Sequence, residues 1–246
     1  DMSTLKVGTF CAEPVSPAVQ KFAMENICSH YINSYWATEH GGIVFSCPWG
    51  DFKPLEADAK TWPLPWIQAQ VRIVEETSDT GSVSQWREAE PGEKGELVIT
   101  QPYPYLARTL WGDGDTLGSG EWRGDIERFA EVYFQRWDGE LTYTQGDYAR
   151  CGDEGAFTLH GRSDDVINVS GHRMGTAEVE SALVLHPQVA EAAVVGYPHD
   201  IKGQGIYAYV TPMADASPTE ELRSELVTLV RKEIGPIASP DIIQWA

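Results

Sequence analysis

Near residue 140 the chain changes character, and that change limits what it can fold into. Up to that point it is irregular and rich in Trp, Pro and Gly. PWGDFKP, TWPLPW and QPYPYLARTLWGDGD read as turns and loops packed by aromatics, between short strands. QVRIVEE (70–76) and GELVIT (95–100) are strand candidates, and GDGDTLGSGEWRGD (112–125) reads as an exposed, turn-rich insertion. Beyond it, LTYTQGDYAR, a turn at residues 152–155 and AFTLHGR spell a hairpin or a corner between strands. DDVINVSG is a short strand ending in Gly. TAEVESALVLHP reads as a helix, acidic early and stopped by Pro187. VAEAAVVGYP and IYAYVTP are apolar runs of strand length. In SPTEELRSELVTLVRKEIGP, Ser217 to Glu220 spells a capping box with Pro218 at the first helical position. Leu222, Leu226, Leu229 and Val230 form one apolar stripe, and Lys232 and Gly235 close the helix. Residues from about 165 onward therefore predict a small α+β unit, strand–helix–strand–strand–helix. The part before it reads as the end of a larger domain.

The 246 residues suffice for one large domain or two small ones, and 42% hydrophobic with 11% aromatic content can build a core. Nine Trp and ten Tyr are too many for a solvating, disordered chain. Lys plus Arg is 18 against 37 Asp plus Glu, a net charge of −19. That excess argues against nucleic acid and anionic membranes as partners, since both need a positive footprint. One anionic ligand held by a few local Arg and Gly residues remains compatible with it. No stretch approaches the roughly 18 apolar residues of a membrane span. No secretory or transit signal opens the chain, and because residue 1 is Asp the natural N-terminus is expected upstream. Cys11, Cys28, Cys47 and Cys151 show no CxxC spacing, which fits buried free thiols in a reducing cytoplasm better than disulfides or zinc.

Three passages can carry chemistry. In SYWATEHGG (34–42), Thr38 and Glu39 precede two glycines, so a hydroxyl and a carboxylate stand where backbone can approach a ligand. The hydroxyl can donate to a phosphate and the carboxylate can hold Mg²⁺; an ordinary turn with a solvated Glu explains the same letters. In YTQGDYAR (143–150), Asp147 follows a Gly at a strand end and suits a vicinal diol, or simply a tight turn. In HGRSDDVINVSGHRMGTAEVE (160–180), Arg162 can pair with phosphate or ribose oxygens, and Asp164-Asp165 is a candidate hinge. Ser170-Gly171-His172-Arg173 offers bare backbone beside a cation, then a helix start. Its glycines, arginines and aspartates favour a functional reading over a surface loop.

In order, Glu13-Pro14, YWATEHGG, GD, GRSDDVINVSGHRMGTAEVE and VRKEIGP resemble the acetyl-CoA synthetase branch of the AMP-forming acyl-CoA synthetases. The resemblance is near-continuous from 140 to 246 and patchy before. NVSGHRMGTAEVESAL is specific to the short-chain enzymes. SYWATEHGG also resembles the ligase part of propionyl-CoA synthase and of 3-hydroxypropionyl-CoA synthetase. The implied fold is α/β with α+β pieces, an adenylate-forming (ANL-type) ligase. Residues 1–163 would be the C-terminal part of its large ATP- and acid-binding domain, and 164–246 its mobile C-terminal domain.

The resemblance implies a ligase that makes acyl-AMP from a carboxylate and ATP, then swings the small domain and passes the acyl group to CoA. Glu13 and Pro14 would line the adenine, where Ala12 departs from a usual Gly. Asn33 stands where relatives often have an Asp that reads the adenine amino group. Tyr35 would join the nucleotide site, and Trp36 would limit the acid to two or three carbons. Thr38 would bind phosphate and Glu39 magnesium, while His40 replaces a more usual Thr. Asp147 and Arg162 would hold the ribose, and Asp164 would be the hinge. Ser170, Gly171 and Arg173 would line the CoA route, with Arg231 at the CoA phosphate end or merely a solvated helix charge. The family's Lys-bearing phosphate loop would lie upstream, and its catalytic Lys about a dozen residues after Trp245. Without these donors the chain is expected to be an inactive fragment of a larger enzyme. In a fused propionyl-CoA synthase, hydratase and reductase domains would follow and NADPH would be a cofactor of the whole. Two rivals stay open. One is an aromatic-rich carbohydrate-binding module, which would expose coplanar rings where the ligase reading buries most Trp. The other is a degenerate homologue kept as a regulatory subunit.

Overall fold

The computed structural model describes residues 4–11, 14–47, 55–112, 124–163, 165–170 and 172–246, with the Arg173 side chain excepted. Glu13, Asp164 and Gly171 lie outside these residues, as does most of the expected insertion at 112–125. The chain divides into two compact units, Asp1–Leu159 and His160–Ala246.

The first unit opens with Gly8–Phe10 (β1), Pro17–Asn26 (α1) and Tyr31–Asn33 (β2), a β–α–β turn with β1 and β2 parallel. The sequence reading did not anticipate α1. Its buried residues are Gln20 and Ala23, while Val19 and Phe22 face outward, so no apolar stripe marks it. Gln20 instead anchors it by polar contacts, accepting from Ala59 N at 2.7 Å and donating to Tyr31 O at 3.1 Å. Phe45–Ser46 (β3) and Trp62–Pro63 (β4) form a short antiparallel pair.

Ala69–Thr77 (β5), Val83–Glu88 (β6), Lys94–Ile99 (β7), Tyr143–Cys151 (β8) and Phe157–Arg162 (β9) make a sheet in the order β6-β5-β7-β8-β9. Ile126–Phe134 (α2) precedes β8, started by Asp125, whose side chain accepts from Arg128 N at 2.9 Å. The central strand β7 shows why strands alternate. Leu97 and Ile99 enter the main core with Val71, Tyr143 and Phe157, while Val98 packs on the other face against Val83 and Trp137. Arg72 is buried beneath Trp86, its guanidinium 3.6 Å from that ring and 2.8 Å from Glu140.

The second unit contains Val166–Val169 (β10), His172–Gly175 (β11), Thr176–Val184 (α3), Val189–His199 (β12), Gly203–Pro212 (β13), Glu220–Glu233 (α4) and Ile242–Trp245 (β14). Its sheet runs β11-β10-β13-β12, with β14 parallel to β13. Val179 and Leu183 of α3, and Leu222, Leu226 and Val230 of α4, share one core with Ile167, Ile206, Ala208 and Val210. Leu229 is only half-buried, at the edge of the expected stripe.

Several sequence expectations need correction. Helix α3 starts at Thr176 as expected, but the His172–Gly175 stretch before it is strand β11, which the sequence reading did not anticipate. The α4 cap is Thr219, whose hydroxyl accepts from Leu222 N at 3.1 Å, rather than Ser217. A start at Glu220 puts Glu220 and Glu221 in the first turn, where the helix dipole favours them. Among the described Trp residues only Trp137 is fully buried, and Trp36, Trp66 and Trp111 are exposed. The indole can cover apolar surface and still leave an edge in water; Trp66 donates its N–H to the Tyr105 hydroxyl at 2.8 Å. All four cysteines are free, but none is fully buried, and Cys11 is exposed. Among the described residues no helix is long and apolar enough to cross a membrane.

Candidate active site

The passage SYWATEHGG folds as a closed loop. Tyr35 N donates to Phe45 O at 2.9 Å and Val44 N to Tyr35 O at 3.0 Å, so residues 36–43 leave and return at one point. Inside it, His40 N reaches Ala37 O and Gly41 N reaches Thr38 O, both at 3.0 Å, which makes 37–41 a tight turn. Gly41 has φ of +73°, and a Cβ there would stand 1.9 Å from the Tyr105 carbonyl oxygen. Glu39 O accepts from Ala107 N at 2.9 Å, so the turn is strapped to the segment after β7. Thr38 is exposed at its crest, and Trp36 is 41% exposed.

Beside this loop β8 is distorted. Glu96 pairs with Tyr148 and Val98 with Thr144, so two steps on β7 face four on β8. The surplus falls at residues 145–147, where Gly146 takes φ of +86°. Asp147, expected at a strand end, is thus mid-strand at a bulge. The bulge turns two polar side chains toward the loop. Tyr35 Oη donates to Asp147 Oδ2 at 2.5 Å, and Gln145 Nε2 donates to Glu39 Oε2 at 3.4 Å. From α2, Tyr133 Oη donates to the other Glu39 oxygen at 2.8 Å.

The Glu39 carboxylate is half-buried and, among the described residues, has no ion-pair partner. Burial works to raise its pKa, but hydrogen bonds from Tyr133, its own backbone and Gln145 together hold it below the ordinary carboxylate value. It is therefore an anion steadied by neutral donors, with uncancelled charge for a hard cation. Among the described residues no cluster of three or more His, Cys, Asp or Glu stands ready for a metal. The single Glu39 carboxylate is of the kind Mg²⁺ uses, since that ion takes one or two carboxylates and leaves its other positions to water and substrate phosphates.

His40 lies behind the turn, 1% exposed, its ring 5.2 Å from that of Tyr35 and 5.3 Å from that of Tyr143. Nδ1 accepts from Ala37 N at 3.0 Å, which leaves the proton on Nε2, a buried atom without a partner. Burial pushes its pKa down to about 4, the Glu39 charge offsetting only part of this. Because the unfolded chain protonates first, the stability this neutral ring contributes is full above about pH 6.5 and lost progressively toward pH 4. The expected loss is about 3 kcal/mol at the low end. Thermal unfolding of the protein across that range should show it, and His40→Gln should flatten the slope. An equal slope in both would refute the assignment.

The other expected residues divide between the units. Asn33 is buried and donates Nδ2 to Ala59 O at 2.8 Å, which leaves its amide oxygen as the accepting end. Pro14 is exposed. In the second unit Arg162 is exposed at the end of β9. Ser170 sits at the β10–β11 turn with φ of +52° and its N–H on Lys202 O at 2.9 Å. Arg173 lies on β11, and Arg231 is exposed in the last turn of α4.

Residues 1–111 match the family model described as AMP-binding enzyme, and residues 178–246 match the AMP-binding enzyme C-terminal domain. The chain belongs to the AMP-binding enzyme family. Within that family it is similar to acetyl-coenzyme A synthetase of Rhodobacter capsulatus, 46% identical over 250 residues, which takes in all of this chain and 34% of that protein. It is 50% identical over 219 residues to the enzyme of the same name from Parvibaculum lavamentivorans, covering 87% of this chain and 29% of that one. The chain thus spans about a third of the length of the curated relatives it matches. Among solved structures, an anthranilate CoA ligase in complex with anthranoyl-AMP superposes on the whole chain and on 42% of its own (TM-score 0.74, 22% identity). An amide bond synthetase from Marinactinospora thermotolerans does so over the whole chain and 43% of its own (TM-score 0.72, 25% identity). The fold is that of an adenylate-forming ligase, mixed α/β.

Within this AMP-binding fold the structure brings together Tyr35, Glu39 and Asp147 of the expected residues. It adds Tyr133, Tyr143 and Gln145, which lie between the two matched segments. None of the three was singled out in the sequence. The one available signal was that Gln145 stands two residues before Asp147, on the same side of a regular strand.

Proposed function

We propose that this chain forms part of an ATP-dependent, AMP-forming short-chain acyl-CoA ligase. A carboxylate attacks the α-phosphate of ATP, releasing pyrophosphate and leaving acyl-AMP; the CoA thiol then takes the acyl group and AMP departs. The observation that carries this reading is the loop 36–43 with the β8 bulge. There an uncompensated Glu39 carboxylate is held by Tyr133 and Gln145, and the Asp147 carboxylate is held by Tyr35.

In this reading Asp147 accepts from the ribose hydroxyls, Arg162 donates to a ribose oxygen, and Thr38 donates to a phosphate oxygen. Glu39 holds the Mg²⁺ that neutralises phosphate charge. Glu13 and Pro14 line the adenine, Asn33 offers its amide oxygen to the adenine amino group, and Tyr35 fixes Asp147. Trp36 closes the acid pocket. Residues 1–163 are the end of the large ATP- and acid-binding domain and 164–246 are the mobile domain, with Asp164 as the hinge. Ser170, Gly171 and Arg173 line the CoA route, and Arg231 meets its phosphate end. The cysteine spacing supports a reducing, cytoplasmic setting.

Acetate, propionate, acrylate and 3-hydroxypropionate differ by a carbon or a hydroxyl, worth only about 1–3 kcal/mol of discrimination. The test is AMP release by the full-length protein with ATP, Mg²⁺, CoA and each acid in turn. Release is expected with one or more of them. No acid-dependent AMP with any would overturn the proposal.

A further inference from the structure

Glu39 is held at both ends by different elements. Tyr133, in the last turn of α2, donates to Oε1 at 2.8 Å, and Gln145, on the β8 bulge, donates to Oε2 at 3.4 Å. The donors are themselves tied together. The Tyr133 ring stacks on Tyr143, 5.5 Å between centroids and 12° between planes. Tyr143 Oη donates to Gln145 Oε1, which fixes the amide so that its NH₂ end faces Glu39. Glu39, Tyr133, Tyr143 and Gln145 therefore close a ring in which each orientation depends on the next.

We propose that Tyr133 and Gln145 are positioning residues that present the Glu39 carboxylate, in one fixed orientation, to a divalent cation bound together with a nucleotide. The proposal rests on Glu39 being the cation ligand. Two properties of the ring carry it. The two carboxylate oxygens have about four lone-pair sites between them and receive three donors here, from Tyr133, Gln145 and the Glu39 backbone, so the carboxylate keeps an open acceptor site. Both donors are neutral, so they steady the carboxylate without cancelling the charge a hard cation needs; a Lys or Arg in their place would compete with it. Because Tyr133 belongs to α2, the docking of that helix becomes a condition for presenting Glu39.

The test uses the full-length protein with ATP and reads bound Mn²⁺ by electron paramagnetic resonance, beside the Mg²⁺ dependence of AMP formation. Tyr133→Phe keeps the ring and its stacking and loses only the hydroxyl. It is expected to weaken Mn²⁺ affinity about ten-fold, the usual scale for removing a partner of a metal ligand. The unfolding temperature and the KM for the acid should stay near those of the parent, and activity should return at saturating Mg²⁺. Gln145→Leu should behave alike; should it fail to fold, Tyr133→Phe decides alone. In a Glu39→Gln background Tyr133→Phe should cause no further loss, which a merely structural hydroxyl would not reproduce. If Glu39→Gln leaves Mn²⁺ affinity unchanged, the ligand reading of Glu39 itself is wrong. If Glu39→Gln weakens it while Tyr133→Phe stays within about two-fold of the parent, positioning by Tyr133 is overturned and the Glu39 reading survives.

Discussion

Gly41→Ala is expected to unfold the first unit or to send it into aggregates. The new Cβ would stand 1.9 Å from the carbonyl oxygen of Tyr105. That obstacle is backbone, so no rotamer change removes it. Tyr105 cannot retreat either, since its hydroxyl donates to Ile43 O at 2.9 Å and accepts from the Trp66 indole at 2.8 Å. The φ of +73° adds a further penalty of about 1 kcal/mol for a residue with a Cβ. Together these predict a loss of about 4 kcal/mol or more, the range reserved for steric and strain defects in a core. Gly42→Ala is the control. Its Cβ would meet only the Tyr105 ring, at 3.5 Å, an ordinary contact. Urea denaturation followed by Trp fluorescence should leave Gly42→Ala near the parent and show Gly41→Ala destabilised or insoluble. A parental midpoint for Gly41→Ala would mean that the 36–43 loop is not held against Tyr105.

The second large effect concerns Asp147. In the proposed site its carboxylate accepts from both ribose hydroxyls, and hydrogen bonds to a charged acceptor are worth about 1.5–3 kcal/mol each. Asp147→Ala removes both and should weaken ATP binding by the full-length protein about a hundred-fold or more. Asp147→Asn keeps one acceptor oxygen and should fall between. Isothermal titration with ATP and with 2′,3′-dideoxy-ATP separates causes. The dideoxy nucleotide lacks the diol, so the parent should bind it weakly and Asp147→Ala should make little further difference. Equal weakening for both nucleotides would show that Asp147 acts on the fold and not on the ribose.

Elements that announced themselves in the sequence share a simple cause. Helix α4 carries an apolar stripe that packs through Leu222, Leu226 and Val230, and strand β7 carries the continuous apolar run Leu97, Val98 and Ile99, buried on both faces. Where burial follows a regular period, the period can be read from the letters. Helix α1 hid because its inward face is Gln20 and Ala23, and α2 hid among Gly- and Trp-rich neighbours. The α4 cap was misplaced by two residues because Ser217 and Thr219 are both good caps, and only the backbone path chooses between them.

The candidate site divides in the same way. Thr38, Glu39 and Asp147 stood out locally, each as a carboxylate or hydroxyl beside glycine, and their motif resembled a known family. Tyr133, Tyr143 and Gln145 did not, since an aromatic in an apolar run or a Gln in a strand is ordinary. The sequence by itself determined the family, the order of most second-unit elements and which groups can carry negative charge. These depend on side-chain identity and spacing along the chain. Only the tertiary structure decided that Glu39 is clamped by Tyr133 and Gln145, that Tyr35 holds Asp147, and that Gly41 must remain glycine. Those contacts join residues 94, 106, 112 and 64 positions apart, counted from Glu39–Tyr133, Glu39–Gln145, Tyr35–Asp147 and Gly41–Tyr105. At such separations no local propensity acts, and only the packing of the sheet, the bulge and α2 brings the partners within reach.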